Sequence, residues 1–269
     1  MDNRIVHIFW TGGLDSTYRV VELSRQECII QPHYIIITGR STVENELRAI
    51  SDITNILNSD ERTKAKILPP EKCSKSELEE YADILSAWEL LHKLKKFNST
   101  QYPLLAGYAR QKNLKVEMGI QFSENGTVVK VLDESCLVDC PDQDDVMMMD
   151  PVRGSQEWAS YTIFKDCLFP KSPYHKTKRE EIEDLRNWGY DKVLKKVWTC
   201  FHPVFGMPCG HCFPCKSARK EGAGVLVPFA GYVLGGIRLY YHKLLNYFKR
   251  ILKRISDHLH KPVSIRRKP

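Results

Sequence analysis

The sequence predicts an α/β fold in which a parallel β-sheet is covered by helices on both faces. Three apolar runs, at residues 4–10, 34–37 and 114–120, are separated by stretches whose apolar residues recur at helical spacing. Runs that are apolar on both sides are typical of the buried strands of a parallel sheet. Their alternation with helices predicts one sheet between two helical layers.

The same periodicity places the remaining elements along the chain. Asn125-Gly126, between two strand-like runs, predicts a β-hairpin. Residues 133–151 are acidic and contain three consecutive methionines, so we expect them to form a loop or a mobile lid near a site. The helices are expected at 15–26, 43–58, 75–97, 101–112, 155–167 and 178–188.

The positive charge of the chain is concentrated at its C-terminal end. The chain carries 40 Lys and Arg against 33 Asp and Glu, a net charge of +7. From Gly236 onward there are ten Lys or Arg and one Asp, a net of +9, so the rest of the chain has 30 basic and 32 acidic side chains, a net of −2. We therefore expect an anionic partner to contact the tail and not the body.

Features of targeting and redox state predict a cytoplasmic protein. Asp2, Asn3, Arg4 and His7 interrupt any signal-peptide core. No uncharged apolar stretch reaches the roughly 18 residues that a spanning helix needs, so no transmembrane segment is expected. Nine cysteines, an odd number, favour reduced thiols over a disulfide framework.

A glycine loop directly follows the first predicted strand, with the sequence Thr11-Gly12-Gly13-Leu14-Asp15-Ser16-Thr17. Two glycines let the backbone approach a phosphate, and the amides at the start of the next helix favour an anion. The hydroxyls of Thr11, Ser16 and Thr17 add donors. Asp15 beside a phosphate implies a Mg²⁺ ion between them. The alternative is a tight turn in which Asp15 only caps the helix.

Neither of two common nucleotide-binding motifs is present in this loop. It has no Gly-Lys-Ser/Thr, so it is not a Walker loop, and it has no Gly-x-Gly-x-x-Gly, so a dinucleotide fingerprint is not supported. The loop therefore indicates a phosphate site of another kind.

Four cysteines near the C-terminal end have the spacing of a metal site: Cys200, Cys209, Cys212 and Cys215. Four thiolates so close together in the sequence suit a tetrahedral structural Zn²⁺, with an iron–sulfur cluster as the rival occupant. His202 and His211 are competing ligands. Four cysteines already close a structural site, so zinc here would hold structure and would not do chemistry.

The two clusters together resemble a known family. The loop resembles the Ser-Gly-Gly-x-Asp-Ser signature of the PP-loop ATP pyrophosphatases, with Thr11 in place of the first serine. Combined with the cysteine cluster, it strongly resembles the 7-cyano-7-deazaguanine synthase family. Further matching segments are "TGRSTVENEL" (38–47), "VEMGI" (116–120), "KTKREEI" (176–182), "WTC" (198–200) and "CKSARKEGAG" (215–224).

The resemblance implies a Rossmann-like fold of the adenine nucleotide α-hydrolase type and an ATP-dependent ligase that forms C–N bonds. In that family the carboxylate of 7-carboxy-7-deazaguanine attacks the ATP α-phosphate and releases pyrophosphate. Ammonia then displaces AMP to give an amide, and a second adenylation dehydrates the amide to a nitrile. The implied cofactors are ATP, Mg²⁺ and Zn²⁺.

The resemblance also assigns roles to residues of this chain. Asp15, Ser16 and Lys178 are the expected catalytic residues, with Lys178 facing the charge of the adenylate. The zinc ligands are the four clustered cysteines. The expected nucleotide-binding residues are Thr11, Gly12, Gly13, Leu14, Asp15, Ser16, Thr17 and Arg40.

Two segments depart from the family pattern where it shapes the base pocket: "STQYPLLAGYARQ" (99–111) and "SCLVDCPDQDD" (135–145). The departures leave two other functions open. One is a homologue of the kind found in bacterial antiviral gene clusters, which passes the activated acyl group to another amine, such as one on a protein. The other is a catalytically idle, zinc-stabilised adaptor for nucleic acid or protein.

The chain is expected to divide at residue 224. Residues 1–224 form the nucleotide-binding domain with its zinc site, and residues 225–269 form an apolar linker and a basic amphipathic helix. Three roles fit this helix: docking on the body or on a second subunit in a homodimer, binding of nucleic acid or a protein partner, and association with a membrane surface.

Overall fold

The computed structural model describes residues 4–37, 42–121, 128 and 130–259. Within these residues the chain has a mixed α/β architecture, as the sequence predicts. The strands are β1 Ile5–Phe9, β2 Ile29–Ile36, β3 Lys66–Ile67, β4 Glu71–Ser74, β5 Val116–Met118, β6 Leu137–Cys140, β7 Gln143–Met149 and β8 Cys167–Pro170.

The helices follow the strands in alternation over the first part of the chain. Short 3₁₀ turns also occur, among them one at 75–77. The α-helices are α1 Leu14–Ser24, α2 Val43–Asn58, α3 Ala82–Lys95, α4 Gln101–Lys112, α5 Trp158–Phe164, α6 Lys171–Tyr174, α7 Lys178–Asn187, α8 Asp191–Leu194, α9 Phe213–Lys220 and α10 Phe229–Leu259.

The strands form one mostly parallel sheet in the order β3-β2-β1-β5-β8-β7-β6, with β4 also paired to β2. β1 pairs in parallel with β2 on one side and with β5 on the other. β7 runs antiparallel to its neighbours, β6 and β8. The chain passes from β1 to β2 on one side of β1, and it later enters β5 on the other side. This reversal of the strand order creates a crevice beyond the carboxyl end of β1.

Two apolar cores cover the two faces of the sheet. One face packs against α1, α2 and α7, and the other packs against α3, α4 and α5. Alternate residues of β1 and the residue after it divide between the cores, with Val6, Ile8 and Trp10 in the first and Phe9 in the second. This alternation explains why the strand is apolar on both sides.

A buried ion pair fixes α1 against the sheet. The Arg19 guanidinium of α1 donates to both carboxylate oxygens of Glu117 in β5, at 2.8 and 3.0 Å, and lies 2.7 Å from Asp145 of β7. Burial works to lower the pKa of Arg19, but these carboxylates outweigh it and raise the pKa. The amino-terminal end of α1 is thereby held at the edge of the crevice.

The expectation of a loop or lid at 133–151 is wrong. Residues Leu137–Cys140 and Gln143–Met149 form an antiparallel hairpin that completes the sheet. Val146, Met147 and Met149 are buried, so these methionines are core residues of β7. The long helix expected at 75–97 is also shorter, because Ser74 and Glu77 form a capping box on the turn at 75–77 and α3 begins at Ala82. The hairpin expected at Asn125-Gly126 lies outside the described residues.

None of the helices in the described ranges is long and apolar enough to cross a membrane.

Candidate functional site

A cleft of about 370 Å³ opens beyond the carboxyl end of β1. Its walls come from segments far apart in the sequence: the glycine loop, β2, the start of α4, the end of β5, and the region around the cysteine cluster. In open α/β sheets this position, where the strand order reverses, is the usual place for a ligand. The cleft is therefore the candidate functional site.

The glycine loop takes a conformation that glycine favours. Gly12 has φ of +74°, and a Cβ there would lie 2.9 Å from the Cβ of Ala49 in α2. Gly13 is the N-cap residue of α1, and no side chain caps the helix. The first amides of a helix have no acceptor inside the helix. Since Leu14, Asp15 and Ser16 also line the cleft, this helix end offers uncapped donors to an anion.

The hydroxyl groups of the loop fall into two sets. Thr11 and Ser16 line the cleft, and the Ser16 hydroxyl donates to the Gly13 carbonyl at 3.4 Å. Thr17 is fully buried, and its Oγ1 accepts a hydrogen bond of 3.0 Å from the Trp10 indole. Thr17 therefore stabilises the loop from within the protein core, through Trp10, and does not line the cleft.

Lys178 meets the loop from the first turn of α7. Thr177 and Glu180 form a capping box that begins this helix. The Lys178 Nζ lies 2.6 Å from Oδ1 of Asp15 and 3.8 Å from the Glu221 carboxylate. Burial works to lower the pKa of Lys178, but the neighbouring carboxylates outweigh it and raise the pKa. The structure thus brings together the predicted residues Asp15, Ser16 and Lys178.

Glu181, one helical turn beyond Lys178, lies buried behind the cleft wall near Asp15, and the sequence predicted no role for it. Its side chain is fully buried, and neither carboxylate oxygen has a hydrogen-bond partner among the described residues. Burial, followed by the charge of nearby Asp15, raises the pKa of Glu181 well above its usual range. The signal in the sequence is its place in "KTKREEI", three residues after Lys178.

A chain of polar groups that no sequence pattern indicated runs from His33, in the wall of the cleft, into the protein. His33 of β2 lies 2.9 Å from His7 and 2.6 Å from the Tyr108 hydroxyl, which donates to Glu71 at 3.3 Å. Burial first, and His7 second, lower the pKa of His33 to about 4, against an opposing effect of Glu71. His33 is therefore a neutral donor or acceptor at neutral pH. Only the pairing of β1 with β2 brings these histidines together.

The four clustered cysteines fit a tetrahedral metal. Their sulfur atoms all lie within 4.8 Å of one another, and Sγ of Cys200 is 3.8 Å from Sγ of Cys212. Tetrahedral zinc bonded to sulfur at about 2.3 Å places sulfurs about 3.8 Å apart. The group can hold a metal such as zinc.

Backbone amides point at the sulfurs, as they do around a metal-bound thiolate. Sγ of Cys200 accepts from the amides of His202 and Cys209, at 3.3 and 3.2 Å. A sulfhydryl hydrogen bond from Cys215 and these amides lower the pKa of Cys200 against the effect of burial. Among the described residues, the group that could hold a metal consists of these four cysteines and includes neither His202 nor His211. The Nε2 of His211 lies 2.8 Å from the Tyr232 carbonyl.

The cysteine cluster and the glycine loop are joined through Trp198. The Trp198 amide donates to the Gly12 carbonyl at 2.8 Å, and its indole donates to the Cys200 carbonyl at 2.9 Å. Trp198, Thr199 and Cys200 also line the cleft. The cluster therefore shapes the wall of the site, although its four sulfurs leave no open position.

Arg40 lies outside the described residues. Of the two segments that depart from the family pattern, 99–111 supplies Gln101, Tyr102, Leu104 and Leu105 to the cleft wall. No described residue of 135–145 lines the cleft, because that segment forms the hairpin of β6 and β7.

No family model and no curated protein matches the chain.

Proposed function

We propose that the protein activates a carboxylate with ATP and transfers the resulting acyl group to an amine. The observation that carries the proposal is the meeting of two features at one end of the cleft. The uncapped amides of α1 lie beside the Lys178–Asp15 pair. Amide donors and an ammonium group together suit the polyphosphate of a nucleotide.

The proposed substrate is the carboxylate of a 7-deazaguanine base, as the resemblance to 7-cyano-7-deazaguanine synthase implies. The lining of the cleft suits a flat heteroaromatic ligand, because it combines apolar side chains with a few polar groups. Phe9, Met118, Leu105 and Ile120 offer apolar surface, and His33 offers a neutral polar group. The segment "STQYPLLAGYARQ" gives this wall side chains that differ from the family pattern.

The donor set at Asp15 fits the Mg²⁺ that the reaction requires. The Glu181 carboxylate is buried, has no hydrogen-bond partner among the described residues, and lies close enough to Asp15 for that charge to raise its pKa. Carboxylate oxygens together with phosphate oxygens are the ligands that Mg²⁺ prefers. Asp15 and Glu181 would hold the ion, and the ion would neutralise the charge of the leaving pyrophosphate.

In the proposed reaction, a carboxylate oxygen of the base attacks the α-phosphorus of ATP. The bond from that phosphorus to the bridging oxygen of the β-phosphate breaks, and pyrophosphate leaves on the α1 amides. Lys178 stabilises the developing negative charge. The amine then attacks the acyl carbon and AMP departs. With ammonia the product is an amide, and a second round of activation gives the nitrile.

The direct test is incubation of the purified protein with ATP, Mg²⁺, 7-carboxy-7-deazaguanine and ammonia. We expect AMP, pyrophosphate and a modified base, with the base identified by mass spectrometry. The mass distinguishes amide from nitrile, and a panel of other amines in place of ammonia reveals a different acceptor. Absence of AMP with every amine would contradict the proposal.

Two variants locate the activity in the cleft. Asp15→Asn removes a charge from the site, and we expect pyrophosphate release to fall by about a hundredfold, the scale of a lost transition-state electrostatic contact. Asp144→Asn is the matched control, because Asp144 is exposed on β7 and lies away from the cleft. Equal activity of the two variants would place the reaction elsewhere.

A further inference from the structure

The last helix, α10, leaves the body of the protein with its apolar side chains exposed. It runs over 31 residues, from Phe229 to Leu259, a length of about 46 Å. Beyond its first turns the helix is exposed at nearly every described residue. Its exposed large apolar side chains are Phe229, Val233, Ile237, Leu239, Tyr240, Tyr241, Leu244, Leu245, Tyr247, Phe248 and Leu252.

A face of small residues attaches the base of α10 to the cysteine cluster. Gly231 and Gly235 are buried, and a Cβ at these positions would lie 2.2 Å from the Pro208 carbonyl oxygen and 2.0 Å from that of Cys209. The Tyr232 ring stacks on His211 with ring centroids 4.5 Å apart. Arg238 donates to the Pro203 carbonyl at 3.0 Å. The helix thus binds the body through glycines, polar groups and one apolar side chain, Leu234, which packs against the core around the cysteines.

The opposite face of the helix is apolar and turns away from the body. At about 100° per residue, all of these apolar side chains except Leu239 occupy roughly 160° of the circumference. Gly231, Gly235 and Arg238 lie on the remaining arc, together with the exposed cations Lys243, Lys249, Arg250 and Lys253. The apolar arc is therefore wide, exposed and bordered by positive charge on both sides.

We propose that α10 binds the surface of an anionic lipid bilayer, with its apolar face in the boundary between headgroups and acyl chains. A helix with a broad apolar arc and flanking Lys and Arg is suited to lie in this plane. Tyr240, Tyr241 and Tyr247 have the amphipathic rings that favour the interface. The ten Lys and Arg from Gly236 onward complement an anionic leaflet.

The charge of the helix and the width of its apolar arc disfavour a second copy of the helix or a nucleic acid as its partner. A second copy of α10 would bring like charges together, because residues 236–269 contain one acidic residue against ten basic ones. Nucleic acid would pair with the cations but would leave the apolar arc in water. A two-helix coiled coil typically buries a narrow apolar stripe, and the apolar arc of α10 is wider than such a stripe.

The test is flotation of the full chain with vesicles. One set contains phosphatidylcholine alone, and the other contains about one third phosphatidylglycerol. We expect at least tenfold stronger binding to the anionic vesicles, weakened by salt because part of the attraction is electrostatic. Each cation removed should weaken that binding about fivefold, so Lys249→Gln, Arg250→Gln and Lys253→Gln together should abolish the preference.

A matched pair of variants separates the apolar face from the polar face. Leu244→Gln with Leu252→Gln interrupts the apolar arc, and we expect it to lower the vesicle partition coefficient at least tenfold. His242→Gln with Asn246→Gln introduces the same residue on the polar arc and should change the coefficient less than twofold. All four positions are exposed, so both variants should fold, which circular dichroism checks.

Three results would overturn the inference. One is absence of vesicle binding by the wild-type chain. Another is equal binding by the two double variants. The third is light scattering that shows a dimer which the leucine variant dissociates while vesicles stay unbound, since that result assigns the face to a second copy. None of these results bears on AMP formation, so the proposed function is tested separately.

Discussion

Glu181 lies in an environment that is unfavourable to its own ionisation. It lies buried beside Asp15 without a hydrogen-bond partner among the described residues, and an unsatisfied buried group costs roughly 1–3 kcal/mol. Such a cost persists in proteins chiefly where a ligand uses the group. In the absence of ligand, the residue should therefore reduce stability.

Glu181→Gln should stabilise the ligand-free protein at neutral pH by about 1–3 kcal/mol, because the amide carries no charge and donates to Asp15. Thermal unfolding measures this gain. The pKa of Glu181 is raised in the folded state. As the pH falls, the folded wild-type chain therefore binds a proton at Glu181 before the unfolded chain does, and this binding stabilises it. The difference in stability between the variant and the wild type thus shrinks as the pH falls toward the usual carboxyl range. The same variant should release pyrophosphate more slowly.

Glu183→Gln is the control for this change, because Glu183 is exposed on the same helix. It should alter neither the unfolding temperature nor the activity. A Glu181→Gln protein that unfolds at a lower temperature than the wild type would show that the carboxylate has a stabilising partner.

His33 gives a second dependence on pH, of opposite sign. Its pKa of about 4 in the folded state lies below the 6.5 of an unfolded histidine. Between these values only the unfolded chain binds the proton, so the free energy of unfolding falls as the pH drops from about 6.5 to about 4. His33→Gln should remove about one proton from this slope, measured by denaturant unfolding at several pH values. Asn246→Gln, on the exposed part of α10, should leave the slope unchanged.

At the scale of single elements, the amino-terminal end of α1 depends on the residue that follows β5. A Cβ at Gly119 would lie 2.5 Å from the Ser16 Cα and 2.7 Å from its amide nitrogen. A side chain there would push the first turn of α1 away from its place. The close approach of these two segments sets the position of the amides that face the cleft.

Gly119→Ala should therefore cost roughly 1–3 kcal/mol of stability and weaken ATP binding, measured by calorimetry. Gly107→Ala is the matched control in α4, where the nearest atom to a new Cβ is 3.7 Å away. That change should stabilise the helix by up to about 1 kcal/mol. Equal ATP affinity in both variants would contradict the role given to Gly119.

The elements with strong periodicity could be predicted from the sequence, and those set by distant contacts could not. The helix expected at 43–58 matches α2, because its apolar residues recur at helical spacing and pack in one core. Met147 to Met149 gave no strand signal, since alternation is lost when three similar residues follow each other. Their strand is imposed by pairing with β6 and β8.

The candidate site divides in the same way. The glycine loop and the cysteine spacing are local patterns, so the sequence could indicate a phosphate site and a metal site. Other features of the site arise only from packing. They are the isolation of Glu181, the pairing of His7 with His33, and the hydrogen bond from the Trp10 indole to Thr17. Lys178 and Asp15 lie far apart in the chain, and only the family resemblance suggested that they share a site.

At the scale of the whole molecule, the cysteine cluster should hold one metal ion on which the rest of the C-terminal region depends. Cys212→Ser should lose the ion, measured by atomic emission, because three sulfurs remain where four are needed. Structural zinc supplies folding free energy directly, so the unfolding temperature should fall. Cys73→Ser, outside the cluster, should keep both metal content and stability close to those of the wild type.

The same Cys212→Ser variant should lower ATP affinity at least about tenfold, roughly 1.4 kcal/mol. The reason is the link through Trp198, which connects the cluster to the glycine loop. Unchanged affinity in a metal-free protein would show that the loop keeps its shape without the cluster.

The bond between Trp198 and Gly12 also constrains the order of events during synthesis. The glycine loop leaves the ribosome early, but its backbone partner Trp198 follows only after every strand of the sheet has been made. A nascent chain that stops before Trp198 would carry the loop and the sheet, yet lack the hydrogen bond that holds this cleft-facing turn. Competence to bind the proposed nucleotide is thus expected to arise late in translation, after the sheet has emerged.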